Sequence, residues 1–434
     1  MTAAARACAV GAAAMAIASG GVISAGFAAV VTTSAANSSA VHVTPTVAAD
    51  EVHWTLTSPT AVTFDWRGVA KSVRWRPAGG GAETTVAGHP PQPMPTSSPG
   101  PFWEATVSDL SPGVKYEYAV GDATVWHRFA PPPLRGSSGF TVVAQGDIGA
   151  STIWPNVSRI QQMVAAAKPD LVLVLGDLAY GDLKANAVDQ HFDDVMVWSQ
   201  DAAYMPIWGN HEWENPTHDD LRNYKGRFAF PHSETARTAP KLGCCGEDWY
   251  WFDYGHTRFV AYPEPYAHST WADWLAAAEP IFTAAERDPA ITFIVTFGHH
   301  PAYSSGHHAG VKVLQRAMAQ LARRHPKYVL NLNGHSHNYE RSAPQDGVVH
   351  ITAGIGGGAL EHAATPCLWD QCSAKPAWSS RRAIHHGVVR LHFGAHSIEG
   401  VAICGPNSPG QTDIDCREGD TFDSFTVTPR QPAR

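Results

Sequence analysis

The segment Leu171-Val172-Leu173-Val174-Leu175-Gly176-Asp177-Leu178-Ala179-Tyr180 decides the fold. Its apolar run reads as a strand, and the Gly-Asp that follows sets a carboxylate at the strand's carboxyl end. Four other segments repeat the device: Gly146-Asp147-Ile148-Gly149, Gly209-Asn210-His211-Glu212, Gly298-His299-His300-Pro301 and Gly334-His335-Ser336-His337. Three of them also close apolar runs, at Phe140 to Ala144, Ile291 to Phe297 and Tyr328 to Leu332. In an α/β sheet the carboxyl ends of strands share one edge, where side chains converge. A lone Gly-Asp is ordinary turn chemistry. Five such segments in order supply Asp, Asn and His to one place, and so imply a metal site.

Outward from these segments the chain changes character twice. Helical stretches at Ile153 to Ala167, Thr270 to Ala285 and Val311 to Arg324 alternate with the strands, which is an α/β rhythm. After His337 the pattern is β-rich, through Val348 to Thr352, Val388 to Phe393 and Gly400 to Cys404. Upstream lie short alternating strands at Ala61 to Trp66, Ser72 to Trp75 and Phe102 to Val107, with no helical period. The segment Ala130-Pro131-Pro132-Pro133-Leu134-Arg135-Gly136-Ser137-Ser138-Gly139 is a linker by composition. The expected division is a leader over 1–35, an all-β domain over 42–130, a linker over 131–139 and a catalytic domain over 140–430.

With 434 residues, 44% hydrophobic and 16% charged, the chain is globular and long enough for two or three domains. A formal charge of −8 without a long Lys/Arg run argues against a nucleic-acid partner. The first residues carry only Arg6 before an Ala/Gly/Val/Ile-rich stretch, the pattern of a secretory leader, so the expected location is extracellular, with no membrane span in the mature chain. Beyond Cys8, the cysteines are Cys244, Cys245, Cys367, Cys372, Cys404 and Cys416. An even set in an exported chain points to disulfides.

The ordered set GD, GDxxY, GNHE, GHxP and GHxH resembles the metallophosphoesterase signature. Tyr180, three residues after Asp177, and the run His335-Ser336-His337-Asn338-Tyr339-Glu340-Arg341 narrow the resemblance to the purple acid phosphatases. It covers roughly Phe140 to Gly358, with weaker support at Thr421 to Phe425. The run Leu110 to Tyr118 resembles the corner-tyrosine segment of a fibronectin type III-like sandwich, with Trp66 as its core tryptophan. The resemblance implies a metallophosphoesterase sandwich of two mixed β-sheets flanked by helices, preceded by that all-β domain. It puts Asp147, Tyr180 and His337 on one ion, Asn210, His299 and His335 on another, and Asp177 between both. Two carboxylates and a phenolate against Fe(III) plus Zn, Fe or Mn leave the centre cationic, which suits a phosphate ester. The implied reaction is hydrolysis of small phosphate monoesters by a metal-bridging or terminal hydroxide. His211, His307 and His308 would serve the leaving group. Which of His307 and His308 donates a proton stays open, because Pro301 to Gly306 runs one residue shorter than the plant pattern. The alternative on the same fold is a phosphodiesterase or nucleotidase with a Zn/Mn pair. A non-catalytic adhesion or phosphate-binding role is disfavoured by the complete donor set.

Other residues read more plainly. His300 is expected to orient a neighbour or to be structural, and Asp182 to form a turn. Glu212 and Arg341 are candidates to orient donors. Trp249 to Phe252 reads as strand core, and the all-β module as a packing spacer rather than a carbohydrate- or protein-binding platform. Loops Trp213 to Asp220 and Tyr262 to Ser269 carry no transferable motif and are candidates to recognise the leaving group.

Overall fold

Among the described residues, seven strands come first: β1 (Asp50–Ser58), β2 (Ala61–Arg67), β3 (Ser72–Pro77), β4 (Thr84–Ala87), β5 (Phe102–Val107), β6 (Tyr116–Val120) and β7 (His127–Phe129). They form two antiparallel sheets, β1-β2-β5 and β4-β3-β6-β7. Alternate residues of both sheets meet in one core, where Phe64 packs on Tyr118 (4.3 Å between centroids) and Phe129 (5.1 Å). Trp66 is buried in it, and the backbone N–H of Ser111 donates to the Tyr116 hydroxyl at 3.0 Å, closing the corner that the Leu110 to Tyr118 run predicts. The computed structural model describes residues 47–213, 220–240, 246–361 and 374–430. The leader and Cys244, Cys245, Cys367 and Cys372 lie outside them. Of the cysteines, Cys404 and Cys416 form a disulfide.

The elements that follow are β8 (Phe140–Gln145), α1 (Val157–Ala167), β9 (Leu171–Leu175), α2 (Ala187–Ser199), β10 (Ala203–Ile207), α3 (Arg222–Lys225), β11 (Trp251–Tyr254), β12 (Thr257–Ala261), α4 (Thr270–Arg287), β13 (Phe293–Phe297), α5 (Lys312–Arg324) and β14 (Tyr328–Asn333). The last six are β15 (Tyr339–Ser342), β16 (Val349–Ala353), β17 (Ser379–Ala383), β18 (Gly387–Phe393), β19 (Ile398–Cys404) and β20 (Thr421–Val427). One mixed sheet runs β10-β9-β8-β18-β19-β20, the other β11-β12-β13-β14-β16-β15-β17. The sheets face each other through aromatic contacts such as Phe259 of β12 on Phe393 of β18 (5.5 Å) and Phe140 of β8 on Tyr254 of β11 (4.8 Å).

Residue pattern explains the layers. All five residues of β9 are buried, as expected of a parallel strand covered on both faces, whereas β19 alternates buried with more exposed positions. Helix α5 buries Leu314, Ala317, Met318, Leu321 and Ala322, one face at helical spacing. Helix α4 anchors its side of the sandwich through Trp274, whose Nε1 donates to the Ala261 carbonyl at 2.9 Å. Sheets flanked by helices are therefore what the strand motifs imply. The Pro-rich stretch does not hang free: Gly136 N donates to Gly255 O (3.0 Å) and Gly139 N to Phe393 O (2.7 Å), fastening it to β18 and the β11–β12 turn. Among the described residues no helix is long and apolar enough to cross a membrane.

One strand departs from expectation. Gly209-Asn210 also closes a strand, β10, which the apolar-run criterion does not find because Pro206 interrupts it. Proline lacks the N–H that a central strand must donate, but among the described residues β10 is the sheet's edge and pairs with β9 alone. All five glycine-led segments thus sit at carboxyl ends of strands, three from parallel β8, β9 and β10 and two from parallel β13 and β14.

Candidate metal centre

Glycine is required before the donors by close approach. A Cβ on Gly209 would fall on Asp177 Oδ1, and one on Gly334 on Asp147 Oδ2. The donors themselves are held in backbone conformations that L-residues rarely adopt: Asp147 (φ 57°), Asp177 (49°), Tyr180 (58°) and His335 (69°) all lie in the left-handed region. Such strain persists where surrounding structure over-determines it, and it clusters at functional sites. Here the over-determination is visible. Asp147 N donates to Gly176 O (3.1 Å) and Ile148 N to Asp177 O (3.0 Å), while buried Glu212 accepts from the N–H groups of Asp177 (3.0 Å), Leu178 (2.9 Å) and Gly209 (2.6 Å).

The side-chain donors fall into two joined groups. In the first, His337 Nε2 is 2.9 Å from the Tyr180 hydroxyl and 3.2 Å from Asp147 Oδ1, which is 3.5 Å from that hydroxyl. In the second, His335 Nδ1 is 3.0 Å from Asn210 Oδ1 and 3.1 Å from His299 Nε2, and His299 Nε2 is 3.0 Å from Asn210 Oδ1. Asp177 joins them. Its Oδ1 lies 3.3 Å from His299 Nε2, and one of its oxygens lies with donors of Asp147 and His337 inside a 4.8 Å span. Atoms that share an ion at bond lengths of ~2.0–2.2 Å lie about 3 Å from one another, so the spacing suits two adjacent ions. The tautomers suit it too. His299 Nδ1 donates to Leu175 O at 2.8 Å and His337 Nδ1 donates to Ala359 O, which leaves lone pairs on the Nε2 atoms that face the cluster.

Electrostatics point the same way. Burial discourages charge on His299 and His337, but the carboxylates of Asp177 and Asp147 override it, raising His299 well above the ordinary range and His337 to about 9. Burial would likewise raise Asp177, yet His299 and His211 hold its carboxyl well below the usual range. Tyr180 is pushed up by burial and by Asp177 and Asp147, so only a cation would ionise its phenol. Buried carboxylates here draw positive charge to whichever neighbour can carry it. The donor set therefore fits a pair of cations.

Three histidines rim the cluster. The His211 ring packs on Tyr180 (4.3 Å), its backbone N–H donates to Asp177 Oδ1 (3.0 Å), and its ring Nδ1 is 2.8 Å from Asp182 Oδ2. Burial opposes charge on His211, but Asp182 and Asp177 prevail and raise it. His308 lies on the His335 ring at 4.1 Å, with His307 beside it at 4.9 Å. Burial, His307 and His337 push His308 down to about 4.

The plainer readings fare differently. Asp182 forms its turn but also fixes His211, a role without local signal because the partner is distant in sequence. His300 bonds through Nδ1 to Glu264 (3.0 Å) and lies 4.0 Å from the His335 ring. Glu212 does organise the Asp177 loop, whereas Arg341 binds Asp423 of β20 (2.7 Å) and reaches no donor. Trp249, Tyr250 and Phe252 are core, but Trp251 is half-buried between His232 (3.8 Å) and Arg258 (4.4 Å).

Residues 140–339 match the calcineurin-like phosphoesterase family, and the chain carries a domain of that class. Relatives narrow it. The chain is 26% identical to purple acid phosphatase 15 of Arabidopsis thaliana over 60% of its length, and 24% identical to the same plant's probable inactive purple acid phosphatase 1 over 73%. It spans 55% and 57% of those proteins. A purple acid phosphatase from yellow lupin seeds shares the fold at a TM-score of 0.68, with 19% identity, 88% of this chain and 74% of that one covered. Over the residues they share, the chain is similar to the purple acid phosphatases.

Proposed function

We propose that the chain is an exported acid phosphatase that hydrolyses phosphate monoesters at a dinuclear centre, with an iron(III) site formed by Asp147, Tyr180 and His337 and a Zn, Fe or Mn site formed by Asn210, His299 and His335. Asp177 spans both. The observation that carries the reading is the donor geometry: seven side chains from five strand ends gathered in two joined groups, with the Nε2 lone pairs of His299 and His337 turned inward. Four relatives are named as probable inactive phosphatases, so it is this complete set that argues for turnover. Residues 42–130 are read as a fibronectin type III-like domain, 131–139 as its connection and 140–430 as the catalytic domain.

Two ions bound there supply charge for the phosphoryl oxygens and lower the pKa of bound water. The chain's own residues do the rest. Glu212 holds the Asp177 loop, and the Leu175 and Ala359 carbonyls fix which imidazole nitrogens face inward. His211, set by Asp182, is placed to give a proton to the leaving alkoxide, a contribution of ~10²–10⁴-fold. His307 and His308 line the opposite rim, where a leaving group would pass. Elemental analysis of the purified protein, with rates on a chromogenic phosphate monoester and its diester counterpart, tests the reading. Two metals per chain and faster monoester turnover are expected. Protein that loads no transition metal would overturn it, and a diester preference would replace it with the phosphodiesterase alternative.

A further inference from the structure

His307 and His308 stand on a loop between β13 and α5 that has no helix or strand of its own. A ring that serves a leaving group must be held to within about 0.5 Å, so a loop needs support from outside. This one is closed at its base, where Val311 N donates to Pro301 O (2.9 Å) and Gly310 N to Ser304 O (3.0 Å). Those bonds fix where the loop starts and ends. They do not fix how its tip stands over the donor cluster.

The sheet does that. Ser304, Ser305 and Gly306 are buried, whereas His307 and His308 are open to solvent, so the tip rises from a buried foot. Glu340 of β15, 1% exposed, accepts from Ser305 N with one carboxylate oxygen and from Ser305 Oγ with the other, both at 2.6 Å. Its cross-strand neighbour on β17, Arg382, donates from Nη1 to the same Oγ at 3.0 Å. A carboxylate taking two donors from one residue is a strong and directional clamp. Gly306 follows directly, pressed so close to the turn of His335 and His337 that a Cβ there would fall on Asn338 Nδ2 and Ser336 Oγ. Beyond it the His308 ring reaches 4.1 Å from His335. The segment from His335 to Glu340 thus supplies two donors and also grips the loop that covers them.

Resting on the phosphatase reading, we propose that Glu340 is a positioning residue that acts through Ser305 to set His307 and His308 over the donor cluster. Its printed bonds run to Ser305 and to none of the seven donors, so its effect on turnover passes through the two rings.

A mutant cycle read on two monoesters tests this, with 4-nitrophenyl phosphate as the good leaving group and glycerol 2-phosphate as the poor one. Glu340→Ala should keep both metals and lower kcat/KM about 10–100-fold on the glycerol ester, and less on the nitrophenyl ester. Added to His307→Ala/His308→Ala, the same change should cost less than about twofold, because its target is already gone. Glu340→Gln, which keeps an acceptor for the Ser305 N–H, should recover part of the rate. A Glu340 that merely stabilises the fold predicts equal losses on both esters and the same loss without the histidines, and either result overturns the proposal. Should Glu340→Ala fail to fold, Ser305→Ala replaces it in the cycle: it removes one of the two bonds and leaves β15 intact, with a smaller loss expected in the same pattern. If wild type hydrolyses neither ester, the phosphatase reading fails instead, and amide hydrogen exchange decides the clamp. Exchange across residues 304–308 no faster in Ser305→Ala or Glu340→Ala than in wild type then overturns it.

Discussion

Two regions bury many charges, and they compensate them differently. Beneath the β1-β2-β5 sheet, Arg67 meets Asp189 (2.7 Å), Asp50 (2.8 Å) and Glu51 (2.9 Å), and Arg227 meets Asp189 (2.8 Å) and Glu51 (3.1 Å). Each carboxylate there has a guanidinium. At the strand ends, Asp147 and Asp177 are equally buried, yet among the described residues their ion-pair partners are histidines only. Arginine is permanently charged and forms planar paired bonds, so it closes a charge account within the fold. Imidazoles presenting lone pairs do the reverse, and leave the positive charge to be brought from outside. The difference separates a structural charge cluster from a metal centre without reference to any relative.

The largest effect should come from Asp177→Asn. Its carboxylate is the donor shared by both groups, so its loss should abolish turnover and lower metal content at both sites. Elemental analysis checks this. Loss of a single metal with substantial activity left would show that Asp177 does not bridge, and would weaken the contrast with the arginine cluster.

Next in size is His211→Ala, expected to slow turnover ~10²–10⁴-fold while both metals remain. The loss should shrink on esters with good leaving groups, since those need no proton. Asp182→Asn should cost less, about 10–100-fold, because it acts through His211. Equal losses on good and poor leaving groups would count against a proton-donor role.

The site's first layer was legible because glycine, strand end and donor are adjacent in sequence. What lay beyond was not. Asp182 and His211 are 29 residues apart, and His300 and Glu264 are 36 apart. Neither acid belongs to a motif, and only the sheet edge brings the partners together. The arginine cluster was invisible for the same reason, since Arg67 reaches Asp189 across 122 residues. Strand β10 escaped because proline is tolerated only at an edge, and edge position is a property of the sheet. Arg341 misled: it follows the His335 to Glu340 run in sequence, but in β15 it is aimed at β20.

Arg227→Met tests the other half of the comparison. Arg227 is nearly fully buried and stacks on Phe102 (4.7 Å) and Phe192 (4.4 Å), which methionine can still do in part. Removing its charge leaves Arg67 alone to compensate Glu51, Asp50 and Asp189, so stability should fall, by up to about 3–5 kcal/mol. Denaturant unfolding measures it. Metal content of the folded variant should stay at two, because no donor touches this cluster. A stable variant lacking metal would mean that the two regions are coupled.

The smallest change in rate, and the most specific result, should come from Tyr180→Phe. Its ring packs edge-on against Trp154 (4.8 Å) and beside His211 (4.3 Å), contacts that phenylalanine keeps, so the loop should hold Asp147, Asp177 and His337 as before. Only the hydroxyl beside His337 Nε2 is lost. A buried phenol among carboxylates resists ionisation, so a phenolate here reports a strongly polarising ion. With iron(III) bound, charge transfer from the ring colours the protein violet, and the variant should be colourless while retaining part of its activity, since the phenolate moves no proton. A visible spectrum beside elemental analysis checks both. A colourless, fully active wild type without iron would reject the iron assignment for Tyr180. Asp147 and Asp177 would then still need cations that the fold does not supply, which keeps the contrast with the arginine cluster and leaves a metal pair of another kind.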